Sequence, residues 1–344
     1  MLSAGVHVRR ILALFLIVLG VVAPAEARER VRVVGSATVL PFVRTVAEQF
    51  ARHFGHPGPS LEVTGAGPGF RLFCAGIGFE HPDVVVAARR ISEAELDACK
   101  RNGVEAVTEI EFGWDAVTVI SDKRSPRRDL SRTQLFAALA REVEVGGVLV
   151  TNTAGKWSDI DSALPVIPIR VMGPSADSSA WDALFDVIME PGCRRFPAIQ
   201  RSDAQRRTEV CRSLRTDGAY SQGSRSEAEV IRWLRADPAA VAISSYTMAT
   251  HNEETVAASP VEGIVPSKET ISNGQYPLVR PLFIYVKAVH VGSVPGLQEF
   301  LYELTSERAI GAEGYLAAQG FVPLDDLSRD RARDRALSLE SLGH

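Results

Sequence analysis

Three times in this chain a short, mainly apolar β-type run passes through a corner of small residues into a helical pattern. Val31-Arg32-Val33-Val34 leads into Gly35-Ser36-Ala37-Thr38 and a helix opening at Pro41. Leu61-Glu62-Val63 leads into Thr64-Gly65-Ala66-Gly67-Pro68-Gly69, with helix expected over residues 71–75. Residues 166–171 lead into Gly173-Pro174-Ser175-Ala176-Asp177-Ser178-Ser179-Ala180, with helix over residues 181–189. Val84-Val85-Val86 is a further strand with no polar face, so it needs cover on both sides. Phe42, Val46, Phe50 and Phe54 fall four apart, which is one apolar stripe of a helix. Ser92 with Glu95 three residues on is a capping-box start. Residues 104–110 and 116–120 read as two more strands, and Leu282-Phe283-Ile284-Tyr285-Val286 as another. This alternation predicts an α/β fold with mostly parallel sheets and helices on both faces. At 344 residues the chain has the length for about two domains.

The first 27 residues stand apart. Arg9 and Arg10 precede an apolar run over residues 11–22, and Pro24 then leads to Ala25-Glu26-Ala27. Charge, length and the small-x-small step fit a secretory signal, so residues 1–27 are expected to be removed on export to the periplasm. The run is shorter than the ~20 residues that span a bilayer. Export changes how Cys74, Cys99, Cys193 and Cys211 are read. No CxxC pair suggests a metal, and an even count in an oxidising compartment suggests two disulfides. Three pairings exist. Cys74–Cys99 with Cys193–Cys211 is favoured because each closes a local loop of similar size. A formal net charge of −4 gives no bulk electrostatic reason to bind nucleic acid. From about Asp325 the chain is charged with spaced leucines, which reads as a solvated terminal helix or frayed tail.

The three corners share one chemistry. Small residues let backbone approach a ligand, amides at a helix start point outward, and the helix dipole favours an anion. Ser36, Thr38, Ser178 and Ser179 add hydroxyls, and in open α/β sheets ligands sit at the carboxyl ends of strands, where these corners lie. Gly65-x-Gly67-x-Gly69 is not the GxGxxG dinucleotide fingerprint. Arg89 follows the buried strand and could supply a bidentate cation, or could pair with Glu93 and Glu95 on the surface. His53 and His56 lack a third ligand for a metal. No HExxH, GxSxG elbow or P-loop occurs, and no cofactor is expected.

In order along the chain, several stretches resemble the phosphate-binding (PstS-type) proteins of ABC transporters. They include residues 35–41, residues 65–74, Pro82-Asp83, Lys156-Trp157-Ser158-Asp159-Ile160, Met189-Glu190-Pro191-Gly192-Cys193 and residues 280–287. The resemblance runs from Val31 to about Leu324. It implies a type II periplasmic-binding-protein fold, with two α/β lobes, mixed sheets and an interlobe cleft. The expected division is residues 28–117 plus 262–327 for one lobe, 118–261 for the other, and a charged tail at 328–344. Hinges are expected near residues 116–120 and 260–265. The implied partners are inorganic phosphate or a related oxyanion and an ABC permease in the inner membrane, with the chain a monomer and no nucleic acid bound. The expected ligand set is Ser36, Thr38, the Val39 amide, Ala66, Gly67, Arg89, Ser178 and Ser179.

Departures from the family pattern matter. Thr38 matches the family's first-loop threonine. The second-loop hydroxyl falls at Ala66, the cleft aspartate falls at Ala88, and the Ser-Gly-Thr loop becomes Ser178-Ser179-Ala180. The arginine expected before that loop is absent, with Pro174 there. Each lost hydrogen bond to a charged ligand costs ~1.5–3 kcal/mol. Weakened phosphate binding, binding of another oxyanion such as sulfate, or loss of ligand binding on a signalling or adhesion scaffold all follow from these changes. An exported phosphatase is the remaining alternative. It would need a nucleophile with its base or a two-metal cluster, and Ser178 has no evident His partner.

Overall fold

The computed structural model describes residues 29–174, 179–223 and 226–342. The expected signal segment and Ser178 lie outside the described residues. The strands are β1 Arg32–Gly35, β2 Ser60–Val63, β3 Val84–Ala87, β4 Val107–Asp122, β5 Glu142–Val145, β6 Val148–Thr151, β7 Val171–Gly173, β8 Tyr220–Gln222, β9 Val241–Ser245, β10 Val256–Ala258 and β11 Val279–Lys287. Nine form one sheet in the order β2-β1-β3-β11-β4-β9-β7-β8, with β10 also on β4. The pairing is parallel among β2, β1 and β3 and among β9, β7 and β8, and antiparallel wherever β4 or β11 takes part.

The sequence reading of two strands around residues 104–120 is corrected here: β4 is one strand of 16 residues. Glu109, Glu111 and Asp115 interrupt its apolar run and hide the continuity. Its first part, from Val107 to Ala116, pairs with β11, and its second part pairs with β9 and β10. One continuous strand therefore crosses between two halves of the molecule.

Each half has cores on both faces of its part of the sheet. In the first half, Val33, Val84, Val86 and Ile284 face helix Leu40–Phe54 and helix Leu297–Leu304. Val34, Val85, Phe283 and Tyr285 face the opposite way, against Phe70 and Phe73 of helix Ala66–Phe73. The two sets alternate along each strand, as a period of two residues requires. In the second half, Val119 and Ile243 pack with Phe136, Trp157 and Ile188, while Ile120 and Ala242 pack with Val230 and Leu234. Ile271, Tyr276 and Leu278 join the second half's core. The C-terminal helix Asp326–Ser338 differs from the solvated element expected. It buries Ala332 and Ala336 in the first half's core, and Arg329 binds Glu307 at 3.1 Å.

The disulfides are Cys74–Cys99 and Cys193–Cys211. The first ties helix Ala66–Phe73 to helix Glu93–Arg101, whose Ser92–Glu95 capping box forms as expected. The hairpin β5–β6 was not read from the sequence. Its Glu-Val-Glu-Val alternation and its Gly146-Gly147 turn, both at positive φ, are the signals it carried.

Candidate functional site

The first two corners meet because of Gly35. Its φ is +141°, and a Cβ there would stand 2.1 Å from the Val86 carbonyl oxygen. Only glycine fits this approach. The Gly35 carbonyl then accepts hydrogen bonds from the amides of Thr64 and Gly65, at 3.1 and 2.9 Å, which fixes the second corner against the first. Gly69 sits where a Cβ would crowd Thr64, Val85 and Gly35, at 3.0–3.2 Å. That close packing explains a correction: the helix expected from Arg71 already begins at Ala66 and contains Gly67 and Gly69. The amides of Ala66 and Gly67 thus open a helix, where no intrahelical acceptor exists for them.

These corners form one wall of a cleft of about 910 Å³. Ser36, Ala66, Gly67, Ala88 and Arg89 line it from the first half, together with Val279, Arg280 and Pro281. Asp182, Asp186, Val187, Glu190 and Arg212 line it from the second half. Four of the expected ligand residues, Ser36, Ala66, Gly67 and Arg89, therefore share one cavity. Thr38 is 2% exposed at its edge, its hydroxyl accepting from Arg280 at 3.1 Å. Val39 does not offer the open amide expected of it. Its side chain is buried and its N–H donates to the Ser36 carbonyl at 3.1 Å, because the chain turns tightly before the helix. Ser179 begins the helical run on the facing wall.

Arg89 lines the cleft and also makes the surface pair weighed against that role. Its guanidinium holds both Glu95 oxygens, at 2.9 and 2.8 Å. The hydrogen bonds to Glu95 raise the Arg89 pKa further above its ordinary value, against the opposing effect of burial. Burial works to raise the Glu95 carboxyl, but Arg89 and Ser92 outweigh it and hold the group below the usual glutamate range. Arg89 also lies over the Phe70 ring at 5.2 Å. Arg90 is engaged with Glu109 and with Glu111.

Two cations of the cleft that sequence reasoning missed are Arg212 and Arg280. Arg280 is the buried one. It is 3% exposed and sits on β11 directly across from Asp115 of β4. Its Nη2 donates to Asp115 Oδ2 at 2.6 Å and to Thr38, and its Nη1 reaches Asp186 Oδ2 at 3.4 Å. The signal available in the sequence was a lone arginine inside the strand run Val279-Arg280-Pro281-Leu282-Phe283. Asp186 lies in Leu184–Met189, a π-wound stretch inside the helical run 179–193. Such windings are rare and often occur at functional sites. Partial loss of water around the half-exposed Asp186 carboxyl holds it above the ordinary aspartate range. Arg280 and Arg212 oppose that rise, and Glu190 and Asp182 add to it. Arg212 stacks on the Phe185 ring at 4.7 Å and binds Glu190 at 2.5 Å.

A second cavity, of about 520 Å³, lies between hairpin β5–β6 and helix Arg132–Leu139. Both of its side-chain amides are engaged: Asn152 donates to the Ala137 and Ala140 carbonyls, and Gln134 donates to Asp161. Among the described residues no cation lines it.

A family model described as "PBP superfamily domain" matches residues 21–308. Protein SphX of Synechocystis is 28% identical over 330 residues, covering 92% of this chain and 86% of that protein. The phosphate-binding protein PstS of Staphylococcus haemolyticus is 23% identical over 309 residues, covering 88% and 85%. Among solved structures, a possible phosphate binding protein from Planctomyces limnophilus aligns with a TM-score of 0.70 at 23% identity, over 91% of this chain and 99% of that one. At that identity the likeness speaks for the fold, which is the mixed-sheet α/β architecture that the resemblance implied. Because the family model spans most of the sequence, the chain belongs to the PBP superfamily.

Proposed function

We propose that this chain is an exported binding protein that takes up phosphate or a related oxyanion in the cleft between its two halves and delivers it to an ABC permease in the inner membrane. The single observation that carries this reading is Arg280. It is a buried guanidinium beside the Thr38 hydroxyl, at the edge of a cleft walled also by the helix-opening amides of Ala66 and Gly67. A cation and helix-start amides around one cavity suit a small anion. The relatives named as phosphate-binding proteins support the ligand class.

In this reading residues 1–27 direct export to the periplasm, where the disulfides are stable. Residues 28–117 with 262–327 act as one lobe and 118–261 as the other, with segment 267–278 packed on the second. Bending is expected at residues 116–120 of β4 and at 260–265. Ser36, Thr38, Arg89, Ser178 and Ser179 remain proposed ligand residues, and Arg280 joins them. The protein works as a monomer that releases its ligand chemically unchanged.

A scaffold that has lost its ligand is the second reading. It is favoured by Ala66 and Ala88, which bring no hydrogen-bonding side chain to the cleft wall, and by the carboxylates that already hold Arg89, Arg212 and Arg280. Titration calorimetry of the mature chain with inorganic phosphate and with sulfate tests the choice. Saturable 1:1 heat with either ion supports transport-linked binding, and its absence with both supports the scaffold. A phosphomonoesterase assay with added divalent metals tests the exported phosphatase.

A further inference from the structure

The cleft contains its own competitor for a bound anion. Arg280 Nη2 is committed within the first half, to Asp115 at 2.6 Å and to Thr38 at 3.1 Å. Nη1 is the nitrogen turned toward the second half, and Asp186 Oδ2 stands in front of it at 3.4 Å. An oxyanion seeking the two-pronged contact typical of arginine needs that same face.

We propose that Asp186 sets the anion affinity of this cleft by occupying the outward face of Arg280, so that an anion binds only by displacing its carboxylate. This rests on the oxyanion reading of the cleft given above. Three observations make the carboxylate displaceable. Its contact with Arg280 is long beside that of Asp115. Its other cation, Arg212, lies 4.0 Å away and is better matched by Glu190 at 2.5 Å. Its side chain is 48% exposed, so it can turn into water without opening the core. Asp182 and Glu190 stand four residues before and after it on the helical run, and both line the same cleft. Like charges at that spacing repel, so little beyond Arg280 holds Asp186 in place. A chain that offers only alanine at residues 66 and 88 and also keeps this carboxylate at the cation is tuned toward weak binding.

The test is titration calorimetry of the mature chain with inorganic phosphate and with sulfate, comparing wild type with Asp186→Asn and Asp186→Ala. Removing the charge takes away a competitor for Arg280, so both variants are expected to bind each anion about 10- to 100-fold more tightly. Variants that bind while the wild type does not also support the proposal. If the wild type binds and the folded variants bind equally or more weakly, Asp186 is a ligand contact or a bystander and the proposal is overturned. If no form binds either ion, the oxyanion reading itself falls and takes the proposal with it.

Discussion

Arg280→Lys isolates what the guanidinium does from what its charge does. An ammonium keeps the positive charge near Asp115, a carboxylate with 13% exposure that is costly to leave unpaired. It cannot also reach Thr38 and present an outward donor, because lysine is a point charge rather than a planar fork. The variant thus loses the Thr38 contact at 3.1 Å and the outward-facing Nη1. One missing hydrogen bond to a charged ligand is worth ~1.5–3 kcal/mol, so anion affinity is expected to fall about 10- to 150-fold. Stability is expected to fall by only about 1–2 kcal/mol, since one buried hydroxyl loses its donor while the ion pair survives. Calorimetry with phosphate at fixed ionic strength reads the first number, and urea unfolding reads the second. A folded Arg280→Lys protein that binds phosphate within threefold of wild type would refute the assignment of Arg280 to the ligand.

Other outcomes follow from the same geometry. Gly35→Ala forces a Cβ against the Val86 carbonyl at a positive φ, so it is expected to cost more than ~2 kcal/mol in urea unfolding and to weaken anion binding by parting the two corners. Replacing both Cys74 and Cys99 by serine opens a loop with a sequence separation of 25 and is expected to lose about 3 kcal/mol, read by the same unfolding assay. Because the Asp186 carboxyl is held above the ordinary aspartate range, its ionisation lowers stability as pH rises through that raised value. Asp186→Asn should therefore melt at a higher temperature than wild type at neutral pH, and the difference should vanish below the ordinary aspartate range. Sulfate affinity of the wild type should rise as pH falls through the same window, since protonated Asp186 competes less for Arg280; a flat profile measured by calorimetry counts against this.

What could be read in the sequence was what neighbouring residues decide together. The strand, small corner and helix around Gly35 are local, and so is the capping box that aims Glu95 back at Ser92. The missed helix start at Ala66 shows where local reading fails. Gly67 and Gly69 look like loop, yet they are helical because the helix lies so close to β1 and β3 that a Cβ at residue 69 would crowd Thr64, Val85 and Gly35. β4 failed for a related reason: its polar residues are matched by partners such as Arg90 and Arg280, which no stretch of β4 itself contains.

The same distinction decides the site. Arg89 was legible as a cation at a strand end, but its sequence serves two outcomes equally. A guanidinium there satisfies either an anion in the cleft or the nearby Glu95, and the structure has it on the wall of the first while bonded to the second. Arg280 lies 165 residues from Asp115, 94 from Asp186 and 242 from Thr38 along the chain, so no spacing rule joins them. Only the antiparallel pairing of β11 with β4 brings Arg280 to Asp115, and only the packing of the two halves brings Asp186 to Arg280. The turn at Gly35 is therefore encoded locally, whereas the helix start at Ala66 and the charge proposed to set anion affinity are encoded by tertiary packing. In the proposed two-lobe reading, a change in how the halves approach should accordingly move affinity through the Arg280–Asp186 distance and leave the corner geometry around Gly35 intact.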